Sequence, residues 1–498
     1  MTVASIVRCL SVAGLAVLTS CIATKPDRSA PSSIHDIIPA VALQNDVTIL
    51  AKAYGDLHPG LYRYNTPSQI DDALNDLRRT FAHDQTRASA FLALSQFTAT
   101  VKCGHTYANF YNQTQSVQNS LFKNANRVPF YFRWIDGKMI VTRNFSDDTR
   151  IVPGTEILSI DDIPTSDILR RLMTIARADG SNDAKRVAYL EVQGQDTYEA
   201  FDIFLPLFYP KIRTEQRLRL RSPDGSQWSR TVRAVSYQER LSERPEDGGK
   251  ETLPWTLSFP NKNVALLNMP TWVMYNRKVD WHAYIRKAFE TISDKHSESL
   301  IIDLRANEGG DDVGDAILSH LIDRDLVLPG YLRLVRYRRV PDDLLPYLDT
   351  WDKSFDDWGA NAVPYDDRYY RLTRYDDDAR GHVVKSEAPV FKGRLIVLIG
   401  PTNSSATFQF AQEVRTLHLG ALVGSETGGN LRGINGGAFF FLRLPGSGLE
   451  VDLPLIGTFP TTPQNDAGIT PDVRVPVTAD DIAQSRDAVL DDAQRIAR

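Results

Sequence analysis

Ser404 and Ser405 stand where a chain can expose a nucleophile. The apolar run Leu395–Ile399 reads as a strand, Gly400-Pro401 turns it, and the spacing from Ala406 to Leu417 predicts an amphipathic helix. A serine just before the first helical turn is lifted beside unpaired backbone N–H groups. That place suits a hydroxyl whose transition state develops an oxyanion. The same residue types are also favoured as helix caps, so a purely structural reading stands beside the chemical one. A proton acceptor is available at His105, in Cys103-Gly104-His105-Thr106 at the end of a predicted helix. An imidazole with an ordinary pKa of about 6.5 can shuttle a proton near neutrality. His105 can equally be a structural or surface histidine. His58 precedes Pro59, and ending a helix is reason enough for it to be there.

Several elements must hold these groups. With 498 residues the chain is too long for one ordinary core. Residues 22–40 read as a Pro- and Ser-rich linker, and helical spacing over 41–125 predicts an N-terminal helical domain in three helices. A short alternating run, Tyr107 to Tyr111, is expected to be extended. Residues 126–250 carry short strands and one hairpin around a Pro-Asp-Gly turn. Over 251–498 strands and helices alternate, which predicts an α/β layer structure. That part is interrupted at about 330–389 by Asp- and Tyr-rich sequence, expected either to lie over a cleft or to be a solvated decoration.

Hydrophobic content of 42% and charged content of 24% are those of a globular protein. A net charge of −5 with mixed signs gives no case for nucleic acid. There is no zinc spacing, dinucleotide fingerprint or phosphate loop, so no metal or cofactor is expected. Residues 1–21 are expected to be a signal peptide: Arg8, a short apolar core over Cys9–Leu18, then Leu18-Thr19-Ser20-Cys21. The last four resemble a bacterial lipoprotein cleavage box, with Cys21 lipidated. The expected location is the cell envelope, on the periplasmic side of the outer membrane, since Ile22 follows Cys21; surface exposure or secretion is the alternative. Cys103 is then the remaining thiol and is expected in the core.

Five separated segments resemble, in order, the S41 family of serine peptidases, which includes the tail-specific and C-terminal processing proteases and the tricorn core protease. Leu300 to Gly310 looks like its "DlRgNgGG" element, and Ser405-Ala406-Thr407 with Phe410-Ala411 looks like its nucleophile turn and helix. Val423 to Gly429 resembles its "iGe.T.G" turn. Cys103-Gly104-His105-Thr106 and Gly468-Ile469-Thr470-Pro471-Asp472 complete the set. The resemblance implies a crotonase-like ββα core, an N-terminal helical domain and a PDZ-like β-rich module around Pro153–Asp162. It implies a nucleophile at Ser405 and oxyanion donors at Ala406, Gly309 and Gly310. In the processing branch a lysine follows in the glycine turn; here that residue is Asn430, and no lysine occurs after Lys392. The tricorn-like branch uses a histidine, which implies His105 as base. That branch places its acid near Asp466, one position off the simplest alignment, with Glu426 as second choice. The implied function is peptide-bond hydrolysis without a cofactor, on a peptide or protein substrate. Two alternatives on the same fold are a non-catalytic binder of a hydrophobic ligand and an esterase or acyl hydrolase.

Overall fold

The computed structural model describes residues 36–245, 249–328, 331–376 and 382–498. The signal segment and Cys21 lie outside the described residues. Three helices open the chain: α1 (Ala40–Leu57), α2 (Pro67–Thr80) and α3 (Arg87–Thr100). Helix α2 shows why: Thr66 and Gln69 form a reciprocal capping box, Pro67 fits the first turn, and Ile70, Leu74 and Leu77 form the buried stripe. Helix α1 stops at Leu57 because His58 is held extended before Pro59.

A six-stranded antiparallel sheet follows: the two-residue strand Ile163–Pro164 pairs with its third strand, and the other five lie side by side in sequence order. These five are β1 (Phe130–Ile135), β2 (Lys138–Asn144), β3 (Glu156–Ile160), β4 (Glu215–Arg221) and β5 (Gln227–Arg233). Between β3 and β4 run α4 (Thr165–Leu172) and α5 (Asp183–Tyr189).

The last part is built on a six-stranded sheet. Its strands are β6 (Thr256–Asn261), β7 (Val264–Asn268), β8 (Ser299–Asp303), β9 (Arg394–Ile399), β10 (Gly420–Gly424) and β11 (Val473–Arg474), in the order β11-β10-β9-β8-β7-β6. All pair in parallel except β6, which is antiparallel to β7. Helices α6 (Trp281–Asp294), α7 (Val313–Ser319) and α8 (Ser405–Thr416) cover one face, and a helix at Ala488–Ile496 packs on the other. Burial on both faces explains the unbroken apolar strands Leu300–Ile302 and Leu395–Ile399. Phe410 of α8 meets the fully buried Trp272 at 5.9 Å and 72°. Burying a ring of that size contributes about 2–3 kcal/mol to holding α8 on the sheet.

The described residues of the Asp- and Tyr-rich segment are built into a sheet and are not a solvated decoration. They supply Leu332–Val335, Leu348–Asp349, Ala362–Pro364 and Tyr370–Leu372 to an antiparallel sheet completed by Asn435–Arg443 and Glu450–Phe459. That sheet shares one apolar core with the N-terminal helices and the middle sheet. The reading of Tyr107–Tyr111 as extended is also corrected, because these residues form a turn-rich loop. Side chains hold the loop where a ladder would otherwise: Asn109 and Asn112 donate to the buried Asp452 at 2.7 and 2.8 Å. Burial raises that carboxyl to about 7.

Candidate active site

The turn after β9 is tied by Asn403. Its Oδ1 accepts the Gly400 N–H at 2.7 Å, and its Nδ2 donates to the carbonyls of Leu304 and Asn307. Its own carbonyl receives the N–H groups of Gly428 and Gly429. Three loops at the carboxyl ends of β8, β9 and β10 thus converge on one buried amide. On this anchor Ser405 adopts φ = +51°, left-handed for a β-substituted residue. Such a conformation costs on the order of 1–3 kcal/mol and persists only where the surroundings enforce it. Ser404 occupies the cap position but does not cap; its Oγ donates to the Glu308 carbonyl at 3.2 Å. The first-turn N–H of Ala406 is left without a side-chain cap, beside the strained serine.

Gly309 and Gly310 follow β8 with φ of +122° and +140°. A Cβ on Gly309 would stand 2.9 Å from the Ser405 Cβ and 3.1 Å from the Ala406 nitrogen. One on Gly310 would meet the Trp272 carbonyl oxygen at 2.2 Å. Both positions therefore require glycine, for space and for φ. Gly309 donates its N–H to Asn307 Oδ1 at 2.9 Å. Among the described residues the N–H groups of Gly310 and Ala406 are not engaged and stand near Ser405.

His105 is fixed from both sides. The N–H of Gly104 donates to Asp179 Oδ1 at 3.0 Å, and its carbonyl accepts from Arg177 at 2.6 Å. On the other side Thr106 Oγ1 lies 2.8 Å from His58 Nε2. The His105 ring lies against Phe439 at 5.8 Å, and its Nδ1 is buried without a hydrogen-bond partner. Burial pushes the imidazole below its ordinary value; Asp179 and Glu308 draw it up, and Arg177 and Lys185 push it down. Glu308 acts on His105 through its charge and accepts from the Ser404 hydroxyl through its carbonyl, but among the described residues no hydrogen bond joins Ser405 to His105. Neither carboxylate expected as the acid touches the imidazole. Asp466 accepts from the Ser181 N–H and hydroxyl and from Asn430 Nδ2, and Glu426 accepts the Gly468 N–H. Those contacts pin the glycine turn and the segment before β11 in place.

Residues 263–475 match the family model of peptidase family S41. The chain therefore carries a serine-type peptidase domain. The S41 match takes in Ser405, the Gly309-Gly310 turn and Asp466 but leaves His105 outside it. No curated protein matches the chain. Among solved structures, mature CPAF complexed with lactacystin aligns with a TM-score of 0.62 at 15% identity, over 92% of this chain and 98% of that one. Mature CPAF gives 0.57 at 16% identity, over 92% and 96%. At such identities the likeness is one of fold, and it takes in far more of the chain than residues 263–475.

Residues that the sequence did not single out complete the candidate site. Asn403 carries the turn, and Arg177, Asp179 and Lys185 reach in from the middle of the chain. Glu308 carried a signal, since it puts a charge where the family element has a small residue. Lys185 carried none, being one cation on a short helix.

His58, beside this site, is expected to make the folding stability depend on pH. Its Nδ1 accepts the Gly60 N–H, so Nε2 carries the proton toward Thr106. Burial, then Arg63, lowers its pKa to about 3. Below about 6.5 the unfolded chain binds a proton that the folded chain refuses, so stability is full above 6.5 and falls as the pH drops toward 3. The loss by about pH 5 is on the order of 2 kcal/mol from this residue. Urea unfolding of wild type and His58→Gln at about pH 7 and 5 checks this. The variant should show the flatter dependence, and equal slopes would assign the effect elsewhere.

Proposed function

We propose that the chain hydrolyses peptide bonds with Ser405 as nucleophile and His105 as general base. The observation that carries this reading is the left-handed φ of Ser405, held against a glycine turn beside an uncapped helix start. Strain of this kind at a serine fits a hydroxyl presented to substrate better than it fits a cap. Ser405 Oγ attacks the carbonyl carbon while its proton passes to His105. The oxyanion draws on the N–H groups of Ala406 and Gly310. Collapse expels the amine with the proton from His105, and water then releases the acyl group by the same steps in reverse. Burial keeps the resting imidazole neutral at physiological pH, which is the form a base needs. Asn430 stands where the processing branch carries lysine, which favours the Ser–His assignment.

The parallel sheet with its covering helices is proposed as the crotonase-like core, and β1–β5 as a PDZ-like module that takes an extended peptide on a sheet edge. Export and lipid anchoring at Cys21 to the cell envelope are proposed from the first 21 residues.

The test is a fluorophosphonate reaction on the chain from Pro26 onward, read by intact mass and peptide mapping. Labelling at Ser405 that disappears in His105→Ala supports the pair. A folded, unlabelled protein would favour the binding-protein reading, and ester turnover without peptide cleavage would favour an acyl hydrolase.

A further inference from the structure

Residues 177–185, running from the loop after α4 into the first turn of α5, lie far in sequence from every segment of the proposed site, yet they touch each one. Arg177 and Asp179 take both backbone polar groups of Gly104, next to His105. Asn182 Nδ2 donates to the carbonyls of Thr427 and Gly429 in the glycine turn. Lys185 Nζ donates to the Thr402 carbonyl at 3.0 Å and lies 3.4 Å from Ser404 Oγ, one residue before Ser405. The two cations converge on one carboxylate: Glu308 Oε1 is 3.1 Å from Arg177 and 2.7 Å from Lys185. Glu308 directly precedes the Gly309-Gly310 turn.

We infer that the triad Arg177–Glu308–Lys185 is a positioning device that sets the His105 segment in register with the Ser405 turn. This rests on the Ser405–His105 reading of the site. Two independent loops carry the base and the nucleophile, and no bond between their catalytic side chains holds them together. Each cation instead grips one loop through a backbone carbonyl and the shared Glu308 through charge. Arg177 is further fixed by the rings of Tyr107 and Tyr189, at 4.5 and 4.9 Å. The Lys185 side chain is 5% exposed, whereas Glu308 keeps 42% of its side-chain surface open. Protein atoms still crowd it enough that burial is the largest influence on its titration, and the two cations outweigh that influence and hold it ionised. A buried cation that loses its partner is costly, whereas removing both members of a pair is tolerated far better. The three side chains therefore act as a unit. They are positioning residues and make no contact with the reacting atoms.

The test uses the full chain and four forms: wild type, Glu308→Gln, Lys185→Met and the double variant. Each single change is expected to lower kcat about 100-fold with KM little altered, the penalty for misplacing groups by about an ångström. The charges facing His105 are Asp179, Arg177, Glu308 and Lys185. Removing the charge of Glu308 should lower the His105 titration midpoint, and removing Lys185 should raise it, each by roughly half a unit to one unit. The double variant, unchanged in net charge, should restore the midpoint and recover part of kcat. NMR of labelled histidine reads the midpoint without any turnover. A chain that fails to hydrolyse peptide therefore tests the function separately from the triad. Unmoved midpoints, movement in one direction for both singles, or a double variant as impaired as the sum of the singles would overturn the inference. If one single variant does not fold, the double variant and the other single still decide it.

Discussion

Replacing Ser405 by alanine is expected to lower kcat for peptide hydrolysis by ~10⁴-fold or more, with KM nearly unchanged. The size follows from the chemistry, because without the hydroxyl no acyl intermediate forms. What remains is the contribution of the oxyanion donors and of substrate binding. Ser404 cannot substitute. It is extended at φ −141°, its hydroxyl donates to the Glu308 carbonyl, and Lys185 lies against it. Alanine accepts the same backbone as poorly as serine, so folding stability should change little. Steady-state kinetics on a peptide substrate, paired with thermal unfolding, separate the two effects. Turnover within tenfold of wild type by a folded Ser405→Ala protein would sink the nucleophile assignment.

The second large effect is expected from a single methyl group at Gly309. Alanine there must accept φ near +122° and stand 2.9 Å from the Ser405 Cβ and 3.1 Å from the Ala406 nitrogen. The neighbours that would have to yield are the nucleophile and an oxyanion donor. Relief by movement therefore displaces the groups whose placement the reaction depends on. The expected loss in kcat is about 10²–10³-fold, comparable to removing an oxyanion donor, with on the order of 1–3 kcal/mol lost from folding stability. Fluorophosphonate labelling rates at a temperature where the variant is fully folded give the direct reading. Wild-type labelling rates in Gly309→Ala would mean that the turn does not border the reacting centre.

Much of the local structure was legible in the chain because it depends on near neighbours. The helix at Trp281–Asp294 and the strands at Ser299–Asp303 and Arg394–Ile399 follow from periodicity and apolar runs. The turn at Ser405 follows from Gly-Pro before a helical repeat. The Asp- and Tyr-rich segment misled because its strands are two to four residues long. Leu348–Asp349 pairs with Asn435–Arg443 more than ninety positions away and Leu332–Val335 with Glu450–Phe459 more than a hundred and twenty away, and so they leave no local pattern. The loop at Tyr107–Tyr111 misled for a related reason. Its alternating side chains are shaped by one buried carboxylate, Asp452, from a distant strand.

For the site, sequence determined the candidates: a serine at a strand-to-helix turn, two glycines after a buried strand, and a histidine at a helix end. Residue type and short spacing carry that information, because nucleophilicity, proton affinity and access to positive φ belong to single residues. Only the tertiary structure decided how they are held. It turned Ser405 left-handed on the Asn403 anchor, engaged Asp466 with Ser181 and Asn430, and brought Arg177 and Lys185 onto Glu308. The contacts of Asp466 with Ser181 and of Glu308 with Arg177 and Lys185 join groups more than a hundred residues apart. Such meetings are set by how layers pack, and single-chain periodicity holds no trace of them.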